Sequence, residues 1–168
     1  LAAKADGKQR ELVENQRGIT YFGLFGPYLA GAKKIVVEDA YVRKPYQLRN
    51  LAEFLEMLLR CKNPDEDAAV HLVTGHNEPG FVEAQLDGLN ELASTFSQLG
   101  VNLTYEFRDT LHDRSITADT GWEILPGRGL DIFQKFVDGD WLNPLLRHQQ
   151  LRRVKECKVT YRRIDEKQ

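Results

Sequence analysis

Hydrophobic and polar residues alternate in two rhythms along this chain, and each change of rhythm marks a new element. KKIVVEDAYVR is a β-branched run closed by polar residues, which predicts a strand. PYQLRNLAEFLEMLLRCKN opens on Pro45, suited to a first helical turn, and repeats Leu48, Leu51, Leu55 and Leu58 at three-and-four spacing. It predicts an amphipathic helix that NPDED ends. AAVHLVTG predicts a second short strand. GFVEAQLDGLNELASTFSQLG predicts a second helix, with Val82, Leu86, Leu89, Ala93 and Phe96 on its apolar side and Gly100 as its stop. VNLTYEFR predicts a third strand. Beyond residue 114 the pattern shortens to SITAD, GWEIL and KVTYRRI, separated by turns at DTG and PGRG. Upstream, GLFGPYLAGA predicts a short apolar helix whose Phe22, Leu24, Phe25, Tyr28 and Leu29 are read as core in preference to a membrane wedge or partner contact.

Strand, helix, strand, helix, strand in close succession predicts right-handed crossovers and an α/β fold. The expected architecture is a mixed sheet flanked by helices, parallel strands first and antiparallel strands in the last third. In such sheets ligands settle beyond the carboxyl ends of the strands, here EDAYVRK, TGHNEPG and RDTLHDR. A chain of 168 residues and 19.3 kDa suits one domain, assigned to 19–168. Residues 1–18 read as a polar lead-in without the apolar core of a signal peptide, which suggests a piece of a longer parent covalently linked to further domains.

Composition excludes a few classes. Hydrophobic residues at 42% and charged residues at 29% are ordinary for a globular protein, and no apolar run is long enough for a transmembrane segment. Cys61 and Cys157 have no CxxC spacing and no histidine at ligand distance, so they read as isolated buried thiols in a reducing cytoplasm, with no metal and no cofactor implied. The expected location is cytoplasmic, with peripheral membrane contact left open. The net charge of −2 hides an asymmetry: residues 141 to 168 carry eight cations against three acids, while residues 18 to 140 carry eleven against nineteen. The cationic tail either attracts phosphates of lipid or nucleic acid, or is a solvated helix and an edge strand protected by charge.

The chemistry concentrates in LHDRSITADTGWEILPGRG. His112, Arg114 and Asp119 fit H-x-R-x-x-x-x-D, one residue away from the H-x-K-x-x-x-x-D signature of the phospholipase D superfamily. In that signature a histidine attacks phosphorus, the lysine neutralises phosphate oxygens and the aspartate helps orient the site, all without a metal. Here Arg114 replaces Lys, the motif occurs once, and no Gly-Ser-x-Asn follows. A single copy could catalyse only by pairing two subunits around one site. A guanidinium grips two phosphate oxygens at once, which favours holding over turnover, and Asp113 could keep the imidazole cationic, which suits anion binding and harms a nucleophile. Arg43 lies just past the first strand. Arg128 sits between Gly127 and Gly129, which would let backbone amides approach a ligand. Trp122 and Trp141 read as core or interface residues, His71 as a satisfied core residue, and His76 and His148 as solvated.

Taken together, YFGLFGPYLAGAKKIVVEDAYVRKPYQLRNLAEFLEMLL, LHDRSI and GWEILPGRGLDIFQK resemble the C-terminal phospholipase-D-like domain of MIT-domain-containing proteins. The resemblance runs from Tyr21 to Lys135 and more faintly to Ile164. Ala40 departs from the family's Asp-Pro-Tyr-x-Arg but spares Asp39, Tyr41 and Arg43. The resemblance implies a phospholipase D fold used without evident catalysis, whose relatives bind acidic phospholipid head groups and associate as dimers. Similar domains at the ends of bacterial Lon-like ATPases make such a protein a candidate parent. The expected ligand set is thus Asp39, Tyr41, Arg43, His112, Arg114, Gly127, Arg128 and Gly129, holding a phosphate-bearing partner, anionic lipid or nucleic acid, in a homodimer. Two alternatives stay open: a metal-independent phosphodiesterase or nuclease using His112, Arg114 and Asp119 across a dimer, and a structural protein-interaction domain.

Overall fold

Period-two alternation decides the sheet. In β2 (Lys34–Glu38) Ile35 and Val37 are buried while Lys34 and Val36 are exposed, and the same alternation runs through β4 (Val101–Phe107) and the first part of β3 (Ala68–Thr74), whose last three residues are all buried. The computed structural model describes residues 8–135 and 142–164. Its remaining strands are β1 (Gln9–Leu12), β5 (Ser115–Ala118), β6 (Trp122–Pro126) and β7 (Cys157–Arg163). All seven join one sheet of order β1-β7-β6-β5-β2-β3-β4. β2, β3 and β4 run parallel and every other pairing is antiparallel, as the sequence pattern anticipates.

Three helices, α1 (Tyr21–Leu29), α2 (Pro45–Cys61) and α3 (Val82–Ser97), share one core with the buried strand face. Successive crossovers from β2 to β3 to β4 advance in one direction, so connections of one hand place α2 and α3 on the same side. Among the described residues the opposite face is largely open and mixes polar with apolar side chains, Lys34, Val36, Ala69, Asn102 and Thr104 being exposed along it while Val73 is buried. Leu51, Phe54, Leu55 and Leu58 of α2 are buried, each contributing about 1.5–3 kcal/mol by leaving water. At the centre Tyr21 stacks on Phe25 and packs against Phe54 and Phe133, with ring centroids 5.5, 6.4 and 5.6 Å away. No helix among the described residues is long and apolar enough to cross a membrane.

Several expectations change. β1 lies inside the stretch read as a polar lead-in; it pairs with β7, and only Leu12 is buried, so it shows no apolar alternation. β7 is therefore an interior strand instead of a charged edge. His71 is not a core residue: register places it beside Val36 and Thr104 on the open face, 2.7 Å from Thr104 Oγ1 and 2.9 Å from Glu106 Oε1. Trp122 is buried beside Tyr28; Trp141 lies outside the described residues. Cys61 is buried and Cys157 half-buried, both as free thiols.

Four cations of the tail are paired with acids. Arg152 pairs with Glu53, Lys155 with Asp131, Lys158 with Glu11 and Arg162 with Glu123, while Arg163 lies over the Trp122 ring. Folding spends these charges on acids contributed by distant segments.

Candidate functional site

The topology brings four loops to one edge of the sheet. Because β2, β3 and β4 are parallel, their carboxyl ends lie together at Asp39, Gly75 and Arg108; because β5 and β6 are antiparallel, Arg114 and Gly127 join them from the other direction. The chain from Arg108 to Arg114 crosses from the far strand β4 back to β5, carrying His112 over this edge. Gln85 of α3, 1% exposed, ties the loops: its Nε2 donates to the carbonyls of Val42 and Gly75, and its Oε1 accepts from Asn77 N–H at 2.8 Å.

Asp39, 2% exposed, is the anchor of the edge and not an open ligand. Its Oδ1 accepts from Tyr41 N–H at 2.9 Å and its Oδ2 from Leu130 N–H at 3.1 Å. The Tyr21 hydroxyl donates to the Leu130 carbonyl, so both backbone groups of Leu130 are satisfied by buried side chains from distant segments. Gly129 has φ +63°, and a Cβ there would sit 2.0 Å from Asp39 Oδ2. Its lack of a side chain admits the carboxylate. Gly127 serves likewise: its N–H donates to the Lys158 carbonyl, and a Cβ would meet that oxygen at 3.1 Å. The two glycines close the turn against the fold.

Burial pushes the Asp39 carboxyl above its ordinary value of 3.8, against the lowering effect of the Tyr41 and Leu130 N–H groups and of Arg114. Folding therefore favours the protonated form. The stability this group contributes is full below its ordinary value and is lost as pH rises through the shifted one. Asp39→Asn cannot ionise, so the urea midpoint of the variant relative to wild type is expected to improve from about pH 4 to about pH 7. A gap that does not move with pH would refute a raised carboxyl.

Above this anchor lies an open hollow of about 410 Å3 lined by Tyr41, His112, Asp113, Arg114 and Gly127. The Tyr41 ring is 43% exposed and carries two cations: the Arg43 guanidinium carbon is 4.8 Å from its centroid and that of Arg114 is 4.9 Å away. The two guanidinium groups are thus within about 10 Å of one another, each gaining roughly 0.5–1 kcal/mol from the ring. Arg114 meets Asp39 only through Nε at 3.9 Å, beyond hydrogen-bond reach. Arg43 donates through Nη1 to the His76 carbonyl at 3.2 Å, while its Nε has no partner among the described residues. His112 is exposed at the rim.

Two expected members stand elsewhere. Asp119 follows β5, at the opposite edge of the sheet, where its carboxylate accepts from Lys33 N–H at 3.0 Å. An extended run from Arg114 to Asp119 spans roughly 16 Å, so the H-x-R-x-x-x-x-D residues do not meet within one chain. Arg128 lies on the right edge but turns towards β7, donating through Nε to the Glu156 carbonyl at 3.1 Å. It lines no part of the hollow. Conversely, His76 and Asp109 come together at this edge without a signal in the spacing: His76 Nδ1 is 2.9 Å from Asp109 Oδ2, and its ring stacks on Phe107 at 4.0 Å. Only the pairing of β3 with β4 brings them close. Among the described residues no cluster of three or more His, Cys, Asp or Glu side chains is placed to hold a metal.

A family model described as a phospholipase D-like domain at the C-terminus of MIT matches residues 18–163, which takes in β2 through β7 and every residue of the hollow. MIT domain-containing protein 1 of Mus musculus is 38% identical over 136 residues, covering 79% of this chain and 54% of the relative. The chain thus spans about half the length of that relative. With the motif residues Asp39, Arg114 and Gly129 interlocked at one sheet edge and the match extending over most of the chain, this protein belongs to the family of phospholipase D-like domains found at the C-terminus of MIT proteins.

Proposed function

We propose that this domain is a non-catalytic recognition module that holds a phosphate group of its partner in the hollow lined by Tyr41, Arg114 and His112, with Arg43 beside it on the Tyr41 ring, and so localises or dimerises a longer parent. The observation that supports this reading is the pair of guanidinium groups over one exposed tyrosine ring. A phosphate in the hollow accepts charge-assisted hydrogen bonds from Arg114 and is drawn by the Arg43 cation on the same ring. The anchor beneath them is rigid, so the site is arranged before the ligand arrives. Lipid head groups and nucleic acid offer the same phosphate chemistry. A Lon-like ATPase remains one candidate parent.

The experiment measures binding to phosphatidylserine vesicles, phosphoinositide vesicles and a single-stranded oligonucleotide, which separates the sources. Arg43→Ala and Arg114→Ala are each expected to weaken the bound partner roughly tenfold, the loss of about 1.5 kcal/mol of charge-assisted hydrogen bonding. Arg128→Ala, whose side chain turns to Glu156, is expected to leave it unchanged. Binding indifferent to both Arg43 and Arg114, or turnover of a phosphodiester in excess chelator that His112→Ala abolishes, would overturn the reading.

A further inference from the structure

A second hollow, of about 640 Å3, is bounded among the described residues by the N-terminal ends of α2 and α3 and by Lys135. It takes in none of the residues that line the phosphate hollow. Two residues on its wall break the local rules of the helices they begin. Lys44 is the N-cap of α2, a cation at the positive end of a helix dipole with no acid in the first turn to offset it. Gln47 does the capping in its place, with Oε1 accepting from the N–H groups of Arg43 and Lys44. Phe81 is the N-cap of α3, where Ser, Thr, Asp or Asn would satisfy a free N–H; it makes no side-chain cap bond and is 58% exposed. Residues that contradict local preference without gain to the fold mark a site where something else is gained. Both face the same groove.

The remaining wall indicates what fits. Tyr46 offers a ring with the Lys135 ammonium 4.8 Å from its centroid, Arg49 is a cation already paired with Glu53, and Glu78 is the one acid among the described residues of the lining. With Arg49 answered by Glu53, Lys44 and Lys135 are set against Glu78 alone among the described lining residues, a net positive charge that suits a negative ligand. Exposed rings at Phe81 and Tyr46 call for an apolar or aromatic group beside the negative charge. A groove of this size accommodates a few residues of extended chain. We propose that the groove between α2 and α3 is a docking site for an acidic peptide segment with an aromatic anchor, the anchor lying against Phe81 and the acids meeting Lys44 and Lys135. Phe81, Lys44 and Lys135 are exposed side chains that carry no part of the core, so they can be changed without unfolding the domain.

The experiment is selection of a random peptide library displayed on phage against the whole chain, followed by fluorescence anisotropy with the selected peptide. The expected result is a consensus of two or more Asp or Glu flanking one Phe, Trp or Tyr, with affinity falling at least tenfold in Phe81→Ala and in Lys135→Glu and with increasing salt. Arg43→Ala and Arg114→Ala are expected to retain the peptide, which separates this site from the phosphate hollow whether or not that hollow functions. No consensus above the level selected by Phe81→Ala, a basic or neutral consensus, or a peptide that binds both variants like wild type would each overturn the proposal. So would loss of anionic-vesicle binding in Phe81→Ala, which would make the groove a membrane surface.

Discussion

Gly129→Ala is expected to destabilise the domain by about 4 kcal/mol, as a fall in the urea midpoint with the slope unchanged. Two costs combine. A non-glycine residue in the left-handed region at φ +63° costs roughly 1–2 kcal/mol. The added methyl also lies on the Asp39 carboxylate, 2.0 Å from Oδ2 and 2.7 Å from Cγ, both buried. The carboxylate must withdraw, which breaks its bond to Leu130 N–H and leaves a buried donor and a buried acceptor unpaired, at about 1–3 kcal/mol. Arg114 Cδ, 3.1 Å from the added atom, is pushed as well, so anion binding falls with stability. Asp39→Ala makes the space and separates the terms: in that background Gly129→Ala should cost only the backbone strain. Additive costs in the double variant would show that Gly129 and Asp39 do not constrain each other.

Glu53→Ala is expected to cost about 3 kcal/mol or more, read in the same way. Glu53 accepts from Arg152 Nη1 with both oxygens, at 3.2 and 3.1 Å, from Gln149 Nε2 at 2.8 Å and from Arg49 Nε at 3.2 Å. Arg152 is 5% exposed and lies over the Phe133 ring. Burial pulls its guanidinium below the ordinary arginine range, and Glu53 is the foremost group opposing that fall. Removing the acid leaves a buried guanidinium that cannot lose its proton and no longer has the Glu53 carboxylate beside it. Glu53→Gln, which keeps an acceptor but not the charge, should fall between wild type and Glu53→Ala. A cost below 1 kcal/mol for Glu53→Ala would mean that the pair is as solvated as a surface salt bridge.

The motif residues that suggested a ligand set prove to divide in two. Asp39, Gly127 and Gly129 form the joint between the β2 loop and the turn after β6; Tyr41, Arg114 and His112 line the hollow above it, with Arg43 beside the Tyr41 ring. The sequence could not separate these groups, because a glycine turn that admits a ligand and one that admits a carboxylate read alike. Nor could it show that Arg128 turns to the Glu156 carbonyl, since either direction suits an exposed arginine. Gln85 escaped notice for a related reason: a glutamine on a helix reads as surface, and only three backbone partners on two loops make it a buried tie.

The sequence alone determined the order and type of most elements, the parallel half followed by the antiparallel half, and the strand ends where ligands gather. Those features follow from local periodicity: a side chain every second residue along a strand, or every third and fourth along a helix, reports its own face. Tertiary structure decided what periodicity cannot carry. It recruited Gln9–Leu12 into the sheet, left one sheet face open to solvent, and moved Asp119 to the far edge from His112. It also paired four cations of the tail, because a charge finds its counter-ion through space and the acids at Glu53, Asp131, Glu11 and Glu123 are brought near only when the strands pair and the helices pack.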